Sequence, residues 1–220
     1  PKKSSSLSGD LYFAGLTPNQ EIIFRTRSLP QIIAPFGGLH PDKNLQHQIR
    51  KTGQKIITAT NLRNTSHRIE FYVLADEKAV TTFILPNGKI FITAGLLSYL
   101  KTEDQRAAFI SHQLAHVMAN HTARQSLSSA LMCTDSGHDV FRAYMNNLLS
   151  LQHSPQEETE TDEISLHSLH KAHYKPEALI EVLTLLNNPS FQNQFHHAHP
   201  YTEDRIEKIN AMIRRLTTHH

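Results

Sequence analysis

The sequence has a single cysteine, Cys133, no tryptophan and no long hydrophobic run among its 220 residues. A lone cysteine cannot form an internal disulfide, so cysteine usage leaves the redox compartment open. A helix that crosses a bilayer needs about 20 consecutive apolar residues, and no segment approaches that length. The formal net charge is only +2 and no block of Lys and Arg is present, which argues against a nucleic acid partner.

A targeting signal is also missing from the start of the sequence. The chain opens with "PKKSSSLSGD", without an initiator methionine and without the apolar core of a signal peptide. We therefore expect that any membrane association depends on residues upstream of Pro1.

The chain divides into an arm and one domain. Residues 1–40 are rich in Ser, Pro and Gly, which predicts a partly extended N-terminal arm. Residues 41–220 contain the periodic segments and form the predicted domain, and we detect neither an internal repeat nor a second domain in them.

The first part of this domain combines a helix with strands. The segment "DKNLQHQIRKTGQKIITA" has apolar residues at helical spacing, which predicts an amphipathic helix. "HRIEFYVLA" alternates as a strand does, and "AVTTFILP" and "KIFIT" flank Pro86-Asn87-Gly88, which indicates a β-hairpin. Most of the remaining sequence has helical patterning, so we predict an α+β fold that is mostly helical with a small sheet.

The most apolar helix begins after Thr102. Thr102 and Gln105 fit a capping box, and the apolar residues that follow cover nearly the whole helix surface. A helix that is apolar on all sides is buried. His112 and His116 lie four residues apart on this helix, so we expect both imidazoles to face the same way inside the protein.

This histidine pair has two explanations. The two rings could supply two corners of a tetrahedral zinc site. A chance pair is also expected in a sequence with 16 histidines, and His167 and His170 lie close together as well. Spacing alone leaves both explanations open, but the buried setting favours a metal, because two buried imidazoles otherwise need separate hydrogen-bond partners.

The segments around the pair resemble a known family. "LPNGKIFITAGLLSYLKTEDQRAAFISHQLAHVMANH" is similar to the central block of the soluble relatives of the CAAX prenyl protease and HtpX-type zinc metallopeptidases. "HPDKNLQHQIRKTGQKI" resembles the family's leading helix, "ETETD" its E-x-E-A-D motif, and "HPYTEDRI" its C-terminal His-Pro motif. The resemblance covers about residues 40 to 215. It implies a zincin-like metallopeptidase domain with a small β-sheet beside the active-site helix.

The resemblance implies a zinc site. It assigns Zn²⁺ as the cofactor and His112, His116 and Glu158 as its ligands. Asp162 would accept a hydrogen bond from a ligand histidine and so orient its ring. Without the resemblance, "QEETETDE" would read as a solvated acidic face.

The resemblance also implies residues around the substrate. His199 would approach the open position of the metal, and Arg205 would stabilise an oxyanion. Thr82, Phe83 and Ile84 would form the edge strand that pairs with an extended protein or peptide substrate. By resemblance we expect proteolysis of unfolded or misassembled proteins in a bacterial periplasm or cell envelope.

Gln113 departs from the family pattern. It stands where an H-E-x-x-H peptidase has the glutamate that acts as general base. An amide has nearly the same shape but accepts no proton at neutral pH, so we expect zinc binding to persist and turnover to collapse. An engineered substitution and a natural pseudo-peptidase, which binds without cutting, both explain this residue.

Overall fold

The computed structural model describes residues 29–60, 69–85, 88–119, 152–187, 199 and 203–218. Helices dominate these ranges and are joined by one three-stranded sheet, which confirms the predicted α+β class. The helices are α1 (Leu29–Ile33), α2 (Lys43–Ala59), α3 (Ala94–Tyr99), α4 (Glu103–Met118), α5 (Pro155–Lys171), α6 (Ala178–Leu186) and α7 (Glu203–Thr218). The strands are β1 (Glu70–Leu74), β2 (Thr82–Ile84) and β3 (Lys89–Thr93).

Strand β3 lies in the middle of the sheet. It pairs in parallel with β1 and antiparallel with β2. The predicted pairing of the two segments around Gly88 is therefore confirmed, while Pro86 and Asn87 lie outside the described residues. Among the described strands β2 pairs only with β3, so it is an edge strand of this sheet.

The sheet separates a large hydrophobic core from a small one. Ile90 and Ile92 of β3 belong to the large core, and Phe91 between them belongs to the small one, as the two-residue period of a strand requires. In the small core Phe91 stacks on Phe83 with 4.9 Å between ring centroids, and Ile32 from α1 packs against them.

Helix α2 is docked onto the open side of β1 by one buried glutamine. Asp42 caps the helix by accepting from the backbone N–H groups of Asn44 and Leu45. One turn later, Gln46 accepts from the N–H of Val73 at 3.0 Å and donates to its carbonyl at 2.8 Å. The side chain thus satisfies backbone groups that a further strand would otherwise bind, and the sequence pattern did not reveal this contact.

Residues 29–40, at the end of the predicted arm, contact the domain. Helix α1 and a 3-10 turn (Ala34–Phe36) lead to Leu39, which forms an isolated bridge with Leu74. The arm boundary at residue 40 stays a prediction.

Helix α4 runs through the interior, as its apolar surface predicted. The predicted capping box of Thr102 and Gln105 is present, and every residue from Ala107 to His116 is buried. The helix packs against α2, α5 and α6. Within the described ranges no helix combines the length and the hydropathy that a bilayer crossing requires.

The last two helices complete the domain. Helix α6 begins at Ala178, and Pro176 and Glu177 lie in the turn that precedes it. Helix α7 begins at Glu203.

Candidate metal centre

Helices α4 and α5 bring the polar residues of two separate motifs together. Helix α5 begins at Pro155 under a capping box formed by Ser154 and Glu157. Glu158, which follows Glu157, and Asp162, one turn later, face the interior and are only 1% exposed. These two carboxylates therefore do not belong to a solvated acidic face, although they lie in an acidic run.

Four ligand atoms converge between the helices. His112 Nε2 lies 3.2 Å from His116 Nε2 and 3.2 Å from His199 Nδ1. Glu158 Oε1 lies 2.8 Å from His199 Nδ1 and 3.5 Å from His116 Nε2. In a tetrahedral zinc site with metal–nitrogen distances of about 2.0–2.1 Å, neighbouring ligand atoms are about 3.3 Å apart. The observed spacings fit the edges of such a tetrahedron.

Hydrogen bonds alone do not account for this arrangement. A neutral imidazole has one donor and one acceptor nitrogen, whereas His112 Nε2 faces two other ring nitrogens and a carboxylate oxygen at once. Buried polar groups normally have a partner for each such atom. One cation in the middle would satisfy all four, so the residues present fit a metal such as zinc, and the cluster qualifies as a metal-binding group.

Burial and neighbouring charges shift the pKa values of His116 and Glu158 in the direction that ligation requires, and that of His112 in the opposite direction. Burial lowers the pKa of His116, and repulsion from the other buried histidines holds it well below its ordinary value. Burial disfavours the charged form of His112 too, but Asp162 and Glu158 more than offset this and raise its pKa. Burial opposes ionisation of Glu158, yet contacts with His199 and His112 hold its pKa well below the ordinary value. His116 is therefore neutral and Glu158 ionised, as metal ligation requires.

Arg205 joins the two buried carboxylates of α5. Its guanidinium donates to Asp162 through Nε at 2.6 Å and through Nη2 at 2.8 Å. Nη2 also lies 2.6 Å from Glu158 Oε2, an ion pair whose geometry falls outside that of a hydrogen bond. Arg205 is only 5% exposed. Its donors are thus directed at Glu158 and Asp162.

Asp162 also reaches the metal-facing histidine. Its Oδ1 lies 3.4 Å from His112 Nδ1, which is an ion-pair distance without hydrogen-bond alignment. This placement leaves Nε2 of His112 directed at the cluster.

Gln113 follows His112 and is buried beside it, with 2% exposure. Its Nε2 donates to no described protein atom. The amide therefore places a buried N–H donor without a partner among the described residues. A carboxylate at this position would bring no such donor.

His153 is a further buried residue of the site that the sequence analysis did not identify. It precedes the cap of α5, is 7% exposed and stacks on His116 with 3.9 Å between ring centroids. No sequence motif indicated His153, because its distance from His116 depends on how α5 packs against α4.

The predicted edge strand is formed by Thr82, Phe83 and Ile84, which make up β2. Thr82 Oγ1 donates to the carbonyl of Phe91 at 2.8 Å, and Phe83 and Ile84 are buried. These side chains anchor the strand in the domain.

Comparison with known proteins identifies similar metalloendopeptidases. The chain is 30% identical over 163 residues to the mitochondrial metalloendopeptidase OMA1 of Saccharomyces cerevisiae, which covers 66% of this chain and 47% of that protein. The Schizosaccharomyces pombe protein of the same name is 29% identical over 66% of this chain and 46% of its own length. A putative beta-barrel assembly-enhancing protease of Vibrio cholerae is 22% identical over 90% of this chain and 42% of its own length. The chain thus spans about half the length of these relatives.

The predicted bacterial periplasm or cell envelope is contradicted by these relatives. Those with 28–30% identity include mitochondrial proteins from two yeasts and Arabidopsis thaliana, whereas the bacterial relative is more distant. The prediction was wrong because it relied on the family resemblance and on the lack of a membrane-spanning segment. The motifs that carry the resemblance reflect ligand chemistry, which is the same in any compartment.

The family model agrees with the geometry of the site. The description "Peptidase family M48" matches residues 43–213, which include α2, the sheet and both helices that carry the cluster. Peptidases of this family use zinc, and the buried group of His112, His116, Glu158 and His199 is able to bind it. The chain therefore belongs to peptidase family M48.

Proposed function

We propose that this chain is the zinc-binding core of a metalloendopeptidase and that Gln113 makes it inactive or nearly so. The convergence of four ligand atoms from α4, α5 and His199 within 4.8 Å of one another is the observation that carries the proposal. His112, His116 and Glu158 would hold the metal. Bound zinc supplies Lewis-acid activation of water and of the substrate carbonyl.

Asp162 and Arg205 are positioning residues in this proposal. Asp162 sets the orientation of the His112 ring, and Arg205 holds Asp162 and Glu158 in place through contacts of 2.6–2.8 Å. The sequence resemblance implied that Arg205 stabilises an oxyanion. Because its donors already face two carboxylates, we favour the positioning role.

His199 would regulate access to the metal. Its Nδ1 takes the place of a fourth ligand, so the arrangement leaves no open position for water or substrate. Cleavage would then require this residue to move away. Between residues 187 and 203 the structure describes only His199, so this proposal depends on the contacts of its ring.

The substrate would be an extended protein or peptide segment. A peptide that adds to β2 gains backbone hydrogen bonds without a specific sequence, which suits unfolded proteins. The names of the relatives from yeast, Arabidopsis and cattle describe metalloendopeptidases, which supports this substrate class.

The decisive experiment restores the carboxylate. We expect zinc-loaded Gln113→Glu to cleave casein at least 10²–10⁴-fold faster than the unchanged chain, the range that a general base contributes. Gln156→Glu is a matched control, because it makes the same change at an exposed position of α5 and should leave the rate unchanged. If zinc-loaded, folded Gln113→Glu and Gln113→Glu/His199→Ala both leave casein intact, the peptidase proposal is wrong.

A non-catalytic zinc protein is the second candidate. Gln113 together with an otherwise complete ligand set favours it, because such a site binds metal without turnover. This candidate predicts that the unchanged chain suppresses aggregation of an unfolded protein in a zinc-dependent manner, while Gln113→Glu adds no cleavage. Casein cleavage by the variant would exclude it.

A further inference from the structure

Helix α2 has an unusual charge distribution for an exposed helix. Its 17 residues include four cations and no acidic residue. Its buried side consists of Gln46, Ile49, Thr52, Gly53, Ile56 and Ile57, so the basic residues lie on the solvent side. The sequence shows no block of basic residues, because only Arg50 and Lys51 are adjacent and the other cations of α2 are at least four positions away.

The C-terminal end of α5 extends this basic surface. Lys171 is the last residue of α5, and His173, two residues later, has a left-handed backbone with φ of 56°. This conformation is uncommon for a residue other than glycine and reverses the chain direction at the helix end. Lys171 and His173 are both exposed and lie beside α2.

Together these residues form a groove of about 670 Å³. Ala59 and Ala172 contribute apolar walls, and no acidic residue lines the groove. The groove is shallow and open to solvent, so it is a surface depression rather than an enclosed small-molecule pocket. The polar lining consists of His47, Arg50, Lys51, Gln54, Lys55, Thr58, Lys171 and His173.

The cations of the basic groove are not neutralised by carboxylates of the described residues. Within the described ranges, Arg50, Lys51 and Lys171 form no ion pair with any carboxylate. Lys55 Nζ lies 3.8 Å above the centre of the Tyr174 ring, which supports its stem while leaving the charge at the groove. The hydroxyl of the same Tyr174 donates to Glu103 at 2.9 Å.

Helix dipoles oppose an anion here, but they are weaker than the side chains. The groove lies near the C-terminal ends of α2 and α5, each of which carries about half a negative charge. Four full positive charges from Arg50, Lys51, Lys55 and Lys171 outweigh them. The groove is therefore electropositive.

We propose that the basic groove binds the phosphate headgroup of an anionic phospholipid at a membrane surface. The apolar walls suit the glycerol portion, and Lys43, the one cation of α2 outside the groove, would face a neighbouring headgroup. The N-terminal segment 1–28 is an unsuitable occupant, since it is itself net basic. The open shape of the groove suits a flat lipid surface.

This surface is separate from the metal centre. Glu158 and Lys171 belong to the same helix, thirteen positions apart, which corresponds to about 20 Å along its axis. Lipid binding would orient the domain on a membrane without occupying the candidate active site. The inference holds whether or not the chain is a peptidase.

Vesicle co-sedimentation of the unchanged chain tests this proposal. We expect binding to phosphatidylcholine vesicles that contain phosphatidylglycerol, no binding to pure phosphatidylcholine, and release by high salt. One cation near an anionic surface changes partitioning by about fivefold. Arg50→Glu/Lys171→Glu should therefore weaken binding by about 25-fold or more, and Lys51→Gln/Lys171→Gln gives an independent variant without new acids.

The control variant is Lys78→Glu/Lys101→Glu. It makes the same change in net charge at two exposed lysines that do not line the groove. Retained binding of this control, with loss in the groove variants, supports the proposal. Equal loss in the control, or no binding of the unchanged chain to anionic vesicles, overturns it. Binding of polyglutamate instead of vesicles also overturns it and assigns the groove to an acidic protein.

Discussion

Arg205 and Asp162 form a two-pronged ion pair in the interior, with donor–acceptor distances of 2.6 and 2.8 Å. The pair connects α7 to α5 beneath the metal-facing side chains, because Asp162 reaches His112 and Arg205 also contacts Glu158. Two elements far apart in sequence thereby hold the same site.

Removing this arginine should destabilise the domain. We expect Arg205→Ala to lower the free energy of unfolding by about 3–5 kcal/mol, because two buried carboxylates lose their counter-charge. Zinc affinity should also fall by about 10–100-fold, as for other groups that orient ligands. Urea unfolding and zinc titration measure the two effects.

The matched control for Arg205 is on the same helix. Lys208 pairs with Asp204 at 2.6 Å, but both side chains are at least half exposed. Lys208→Ala should cost less than about 1 kcal/mol, because exposed ion pairs contribute little. Similar losses for both variants would contradict the positioning role of Arg205, as would normal zinc affinity in Arg205→Ala.

Zinc should stabilise the unchanged chain despite Gln113, because the amide is not one of the converging ligands. At a free zinc concentration 100 times the dissociation constant, the gain is about 2.7 kcal/mol. We expect a higher melting temperature with zinc, its reversal by a chelator, and one zinc per chain by metal analysis. His112→Ala should remove the effect, whereas His167→Ala, on the exposed side of α5, should retain it. A zinc shift of equal size in His112→Ala would refute the site.

Mutation of His199 in the Gln113→Glu background distinguishes a blocking role of this residue from a structural one. If the residue blocks the metal, Gln113→Glu/His199→Ala should cleave casein faster than Gln113→Glu, because an open position becomes permanent. If it is a structural fourth ligand, the same variant should lose zinc and activity together. Metal content measured alongside kcat/KM distinguishes these outcomes.

Packing of α2 on the sheet requires a glycine at position 53. A Cβ added at Gly53 would overlap the Phe71 ring of β1. Gly53→Ala should therefore lower the free energy of unfolding by about 1–3 kcal/mol, as overpacking does, even though alanine favours helix. Gln54→Ala on the exposed face of α2 is the control and should be neutral or slightly stabilising. Equal stability of the two variants would show that the Phe71 ring moves aside freely.

Local patterns were enough to predict most of the fold. The alternation in β1, the apolar run of β3, the capping box at Thr102 and the apolar surface of α4 each depend on neighbouring residues, and the structure confirms them. The parallel pairing of β1 with β3 was not predicted, because hydrophobic alternation is the same in parallel and antiparallel strands.

The sequence alone determined that His112 and His116 share a buried helix face, because helical periodicity fixes which residues align. Resemblance to a family then singled out Glu158, Asp162, His199 and Arg205. Only the tertiary structure decided that these groups meet, that His153 joins them and that Arg205 faces two carboxylates. It also gathered scattered cations of α2 and α5 into one basic groove. Distances across helices depend on side-chain packing between distant segments, which no local pattern encodes.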